Sequence, residues 1–390
     1  MIQTNISYLM NKIRELEKTE ENKRRTALWK PNLNSAEAYW HGCPRGNTPF
    51  IPFTIEPEHA MWAQWLGFDL DRYYSDGKTY LLADLNVKIA RFENFSDGTP
   101  IGKTTAIWMG AGFEASLFGV YQKYTKDKDP WIGREPILRY DKNIDKLGHA
   151  DFYQSKLMEN VQAMYQDMKA LLDDDFTVVM PEWCRGPFGL ACHLRGMDTI
   201  CMDMVEDPQF VHELMRFTTD ERKKWAKQRA DFMKVPIQPG SLYNDEVNVP
   251  LMSPAFYEEF VLPYETELGE FYGGISYWHS CGNITPLEYL IQRIPKLEMI
   301  HISPWSDLVQ SVKNLRDTGI ALEVVLHPLE HVQSVSLEEI AVFLSFIRET
   351  TKDVSATVRA DGMQVITGVE EDVKKIKEWA RIANEVLGKP

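Results

Sequence analysis

"GISYWHSCGN", residues 274–283, followed by "PLEYLIQRI", residues 286–294, reads as a strand, two ligating side chains, a glycine turn and a helix. The same unit recurs on both sides of it. Upstream, "FTVVMPEW" (176–183) reads as a strand and leads into the helical stretch 186–233. "PGSLYNDEV" (239–247) then leads into "SPAFYEEFVLPYETELGEFY" (253–272), where Ser253 caps and Pro254 occupies the first helical position. Downstream, the strands "MIHISPW" (299–305), "ALEVVLHP" (321–328) and "SATVRAD" (355–361) alternate with helices at 308–317, 336–351 and 370–387. Strands that alternate with helices pair in parallel. With "TPFIPF" (48–53) as a first strand and one more in the irregular region after it, the count reaches eight. An α/β fold of the (β/α)8 TIM-barrel type is the economical reading. The rival is an open doubly wound sheet, whose GxGxxG turn is absent.

The organisation expected is a single barrel domain over 1–390. It carries an N-terminal helical extension over 1–45 and an insertion or lid over about 70–150, rich in Trp, Tyr, Gly, Lys and Asp. Ile6, Leu9, Met10, Ile13 and Leu16 mark one face of the first helix.

Composition narrows the function. The 390 residues are 44% hydrophobic and 26% charged, with a formal charge of −14. That balance opposes a nucleic-acid surface, which needs clustered Lys and Arg. No run approaches the roughly 20 apolar residues of a membrane helix. The N-terminus lacks a signal layout, and five unevenly spaced cysteines make no disulfide framework, so the expected compartment is the cytoplasm. The "KKWAK" and "VKKIK" runs read as solvated helix faces.

In a barrel, the chemistry sits at the C-terminal ends of the strands. Five successive ends carry ionisable or ligating groups: Asn244-Asp245-Glu246, His279-Ser280-Cys281, His301-Ile302-Ser303, Glu323 to His327, and Arg359-Ala360-Asp361. Strand alternation turns His279 and Cys281 to one face, and likewise Asn244 and Glu246. Imidazole, thiolate and carboxylate are usual zinc ligands. The bland alternative is a buried cysteine beside a histidine bonded to a carbonyl; convergence with Glu246, His327 and Asp361 favours the metal. Asn244, Glu246, Arg359 and Asp361 are the candidate catalytic residues. Arg185 and Arg359 either hold a substrate carboxylate or form salt bridges. Cys184 and Cys192 read as buried thiols.

"HSCGN", with "NDE" and "SPAFYEEFVLPYE" before it and "GPFGLACHLRGMDTICMDMVEDPQFVHELM" earlier still, resembles the uroporphyrinogen decarboxylase superfamily, and within it the cobamide-dependent methyltransferases. The resemblance covers 176–390 well and the first half loosely, at "RGNTPFIPF". It implies a (β/α)8 barrel, with His279 and Cys281 as zinc ligands that true decarboxylases lack. Coenzyme M methyltransferases of this branch add a cysteine from the last strand end. Here that end reads "TVRADGMQ", and no cysteine follows Cys281. Glu246 is then the first choice for the missing ligand, with His327 and Asp361 behind it. Zinc held by one sulfur and harder ligands suits methyl-ether cleavage, in which Co(I) takes the methyl group and an alkoxide or phenoxide leaves. The eleven Trp and sixteen Tyr could help to line a pocket for an aromatic substrate. The resemblance therefore implies a small methoxylated, aromatic methyl donor and a cobamide carried by a partner corrinoid protein; a homodimer is allowed for. Three alternatives stay open: methylcobalamin-to-thiol or tetrahydrofolate transfer, a cofactor-free decarboxylase, and a corrinoid- or metal-binding module without turnover.

Overall fold

The computed structural model describes residues 2–30, 42–44, 49–133 and 135–388. Eight short parallel strands carry the predicted rhythm: β1 Phe53–Pro57, β2 Thr104–Ala106, β3 Thr177–Val179, β4 Gly240–Tyr243, β5 Ile275–His279, β6 Met299–Ile302, β7 Ala321–Leu326 and β8 Ala356–Met363. Six of them form one curled sheet in the order β1-β8-β7-β6-β5-β4, and β2 pairs with β3. The first strand lies beside the last, Phe53 against Val358 and Glu56 against Asp361, as a closing barrel requires. The β3 side joins β4 past the end of the strand proper. There Tyr243 N–H donates to Cys184 O and Gly186 N–H donates to Tyr243 O, each at 2.9 Å.

Between β1 and β2 the ladder is interrupted. Backbone groups left open there need other partners, and side chains supply several. Asp97 accepts from Ile55 N–H at 3.0 Å. From the helix Gly77–Asn94, Lys88 reaches Thr104 O and Asp84, while Asp84 also accepts from Thr105 Oγ1 at 2.6 Å. Arg91 of the same helix pairs with Glu56.

Regular elements occupy part of the region read as an insertion or lid over about 70–150. Its first half supplies this barrel helix and β2, which at three residues is too short to show an apolar period. The chain after β2 does make an excursion, with an antiparallel ribbon pairing Gln122–Lys123 with Trp131–Ile132. The first strand is also displaced, beginning at Phe53 where the predicted run ends. Pro52 has no N–H for a ladder; its carbonyl accepts from Val358 N–H at 2.9 Å. The N-terminal extension folds as helices Ile6–Glu17 and Glu20–Ala27, with Leu9, Met10 and Ile13 buried. Residues 1, 31–41 and 45 of it lie outside the described residues.

The stretch 186–233 is three helices, Pro187–Arg195, Met197–Glu206 and Pro208–Met233. The first break falls at Gly196, whose φ of 101° disfavours any side chain. The second falls where Asp207 caps Phe210 N–H and Pro208 takes the first helical position. Trp225 of "KKWAK" is buried, so only the lysines of that run face outward.

Side chains of β1, β7 and β8 divide by face. Phe53, Ile55, Val324, Leu326 and Val358 pack outward against Ile340, Leu344, Ile376 and Trp379 of the last two helices. Tyr277, Met299 and Ala321 form a small inner cluster. Above it lies a polar layer of His279, His301, Glu323 and Arg359, all buried. No helix among the described residues is long and apolar enough to cross a membrane.

Candidate metal centre

His279 is the last residue of β5, and its Nε2 faces two groups at once: Cys281 Sγ at 3.2 Å and Asp245 Oδ1 at 3.0 Å. The three ligand atoms lie within 4.8 Å of one another. The local chain path explains the meeting. Asn244 N–H donates to His279 O at 2.8 Å, which ties the end of β4 to the end of β5 and carries Asp245 over the imidazole. Cys281 then turns back at Gly282, where a Cβ would lie 2.3 Å from Asn248 Cγ, so the approach requires glycine. Ser303 Oγ holds the Gly282 carbonyl at 2.6 Å. His279 is buried, Asp245 half-buried, and Cys281 exposed.

Each member has support behind it. Tyr277, two residues before His279 on the same face, places its hydroxyl 3.3 Å from His279 Nδ1 and 3.1 Å from His301 Nδ1, and donates to Glu323. A Tyr277 hydroxyl committed to Glu323 can accept from His279 Nδ1–H, which leaves the Nε2 lone pair for the site. Asp245 Oδ2 meets Arg185 Nη1 at 3.3 Å. Burial works against the charge of Asp245, but His279 and Arg185 hold it well below the usual carboxylate range. Burial likewise disfavours the His279 cation, yet Cys281 and Asp245 outweigh it and raise the imidazole to about 10. Without a metal, one proton on His279 is what balances the cluster.

These residues fit a zinc ion. Asp245 Oδ1 is buried and has no hydrogen-bond partner, only its ionic contact with His279. A carboxylate oxygen in that state lacks the partner that buried polar atoms nearly always have. Tetrahedral zinc bonds of about 2.0–2.3 Å would put neighbouring ligand atoms about 3.3–3.6 Å apart, a few tenths of an ångström wider than these.

The other predicted residues fall elsewhere. Glu246, the expected third ligand, faces Arg185 Nη1 at 3.1 and 3.2 Å and His193 Nε2 at 2.9 Å, away from the cluster. The two-residue alternation does not apply to it, because β4 ends at Tyr243 and the chain turns at once. Asn244 is fully buried and donates to Glu265 Oε1 at 2.7 Å, a packing role rather than a place in the site. His327 lies beyond β7, its Nδ1 accepting from Glu330 N–H at 3.2 Å, and is outside the three-residue group. Arg359 and Asp361 do reach the cavity beside His279 and Asp245, paired with each other at 3.3 Å. Cys192 is buried and Cys184 half-buried, and burial pushes both thiols up. Asp245 and Tyr277 are the site residues that alternation missed, and Arg185 takes the salt-bridge role that was one of its two readings. The "NDE" triplet contained the right carboxylate, but its neighbours could only be known in space.

The cluster borders a cavity of about 1290 Å³, open mouth included. Ile107, Trp108, Met109, Phe113 and Met180 give it apolar walls, so the segment following β2 covers the barrel mouth.

A curled parallel barrel with a His, Cys and Asp cluster at adjoining C-terminal strand ends defines an α/β barrel with a candidate metal centre at its catalytic face. The chain belongs to the uroporphyrinogen decarboxylase (URO-D) family, whose model matches residues 107–326. Among solved structures it is similar to a methyltransferase from Methanosarcina mazei, with a TM-score of 0.61 and 13% sequence identity, over 87% of this chain and 95% of that one. No curated protein matches the sequence.

Proposed function

We propose that the chain is a zinc-dependent methyltransferase of the uroporphyrinogen decarboxylase family, moving a methyl group from a methoxylated donor to the Co(I) of a cobamide on a partner corrinoid protein. The observation that carries this reading is the convergence of Asp245 Oδ1, His279 Nε2 and Cys281 Sγ at the edge of a cavity. The likeness to the Methanosarcina mazei methyltransferase supports the same class of reaction.

His279, Cys281 and Asp245 would hold the metal. A zinc ion held there would supply Lewis acidity to an ether oxygen. Tyr277 and Glu323 orient His279, and Arg185 holds the second oxygen of Asp245, so the ligand set is arranged before substrate enters. The apolar walls exclude water from the donor and bury its ring or chain. The donor would give up its methyl group to the Co(I) acceptor substrate, and the oxygen would leave as an alkoxide or phenoxide that takes a proton from solvent. With one thiolate beside harder ligands, the set donates less charge than several thiolates would, which suits an electrophilic task.

The test is direct. Purified protein should contain close to one zinc, and with reduced corrinoid protein and a methoxybenzene it should convert the Co(I) absorbance to that of methyl-Co(III) while releasing a phenol. Protein isolated without stoichiometric zinc would refute the metal centre. Inert methyl ethers, with methylcobalamin consumed by a thiol or tetrahydrofolate, would reverse the direction.

A further inference from the structure

We infer that the cavity selects uncharged methyl donors over carboxylated ones, with Asp361 as a specificity determinant; this rests on the demethylase reading above. A carboxylate guest in an apolar cavity needs a cation with its fork available, most effectively an arginine. Two arginines line this cavity, and no lysine does among the described residues. Both are engaged by the protein. Arg185 Nη1 meets Asp245 and Glu246 at 3.1–3.3 Å, and its Nη2 donates to Ala111 O at 3.2 Å. Arg359 donates from Nη2 to Asp361 Oδ1 at 3.3 Å, its Nε makes an ionic contact with Asp361 Oδ2 at 3.3 Å, and it lies 3.9 Å from Glu323. Both guanidinium groups are almost wholly buried.

Charge balance gives the same answer. With a dication in place, the negative charges of Cys281, Asp245, Glu246 and Asp361 offset those of the metal, Arg185 and Arg359. No cation that lines the cavity is left over, and Glu114 and Glu182 line it too, with Arg222 and Arg229 acting on Glu182 from behind. A substrate carboxylate would have to displace Asp361 from Arg359 or enter unpaired, and either loses affinity. Asp361 is the more open of the two partners, its side chain 34% exposed, so it is the group a guest anion would meet.

Binding and turnover should be measured separately on the full-length, zinc-loaded chain, with 1,2-dimethoxybenzene and 3,4-dimethoxybenzoate as probes. In calorimetric titration the neutral ether should bind at least about tenfold more tightly. Asp361→Asn should shift the affinity ratio about tenfold towards the benzoate. The double change Asp361→Asn with Arg359→Gln should abolish that shift, because the cation it releases is gone. Equal wild-type affinities, binding of neither probe, or a ratio indifferent to Asp361→Asn would overturn the inference. Turnover with reduced corrinoid protein separates the two claims. Equal kcat/KM for both ethers sinks charge selection and leaves the demethylase reading standing. Selective binding without demethylation sinks that reading and leaves charge selection standing.

Discussion

At the scale of single residues, the carboxylate that follows β4 decides the proposed ligand set. Asp245 and Glu246 are adjacent in the chain, yet one meets His279 and the other meets Arg185 and His193. Their substitutions should therefore differ in kind. Asp245→Asn takes charge from the ligand itself and should weaken zinc affinity about 100-fold, whereas Glu246→Gln acts through Arg185 and should cost about tenfold or less. His279→Ala and Cys281→Ala should each abolish stoichiometric zinc. Competition against a chromogenic chelator reads all four variants, and a larger loss in Glu246→Gln than in Asp245→Asn would return Glu246 to the ligand role.

The helix element after β4 shows how a buried charge enters the fold. Ser253 caps the helix at Phe256 N–H, and a single wide turn over Tyr257–Val261 precedes Leu262–Tyr272. Pro263 has no N–H and would clash in a regular helix, and the wider turn relieves that. It also aims Glu265 inward, where the Tyr257 hydroxyl (2.6 Å), Asn244 Nδ2 (2.7 Å) and Trp278 Nε1 (3.0 Å) donate to it. Burial raises Glu265 to about 7, against the pull of those donors. The folded value lies above the ordinary one, so the native chain holds the extra proton between about pH 4.5 and 7, and stability falls as pH rises through that window. Glu265→Gln cannot ionise. Its stability relative to wild type should improve by on the order of 2 kcal/mol from pH 5 to pH 8, read from urea midpoints. A difference independent of pH would mean that Glu265 is not the titrating group.

At the scale of the whole molecule, the barrel closes by two different means. Seven of the junctions are carried by backbone pairing; between β1 and β2 side chains of the helix Gly77–Asn94 stand in for part of the ladder. The Lys88 side chain is 5% exposed and binds Asp84 at 2.8 Å as well as Thr104 O. Lys88→Met would leave the half-buried Asp84 with only the Thr105 hydroxyl to answer it, and should cost about 2 kcal/mol of stability. Hydrogen exchange should rise first in β1 and β2. A stability loss under about 1 kcal/mol, the range of a surface pair, would show that this junction does not depend on the lysine.

The chain alone determined the alternation of strands and helices, the barrel, and the pairing of His279 with Cys281. Those rest on short-range physics: apolar periodicity, capping, and side chains two apart near a strand end. Tertiary structure decided which carboxylate joins them, because β4 stops at Tyr243 and the face of Asp245 depends on a turn packed against β5. It also decided that Arg185 and Arg359 are held by the protein's own carboxylates, since their partners come from other strand ends or depend on how the strand end is turned. β2 stayed hidden for a third reason. Three residues are too few to show a period, and only the neighbouring strand and the helix above it make them a strand.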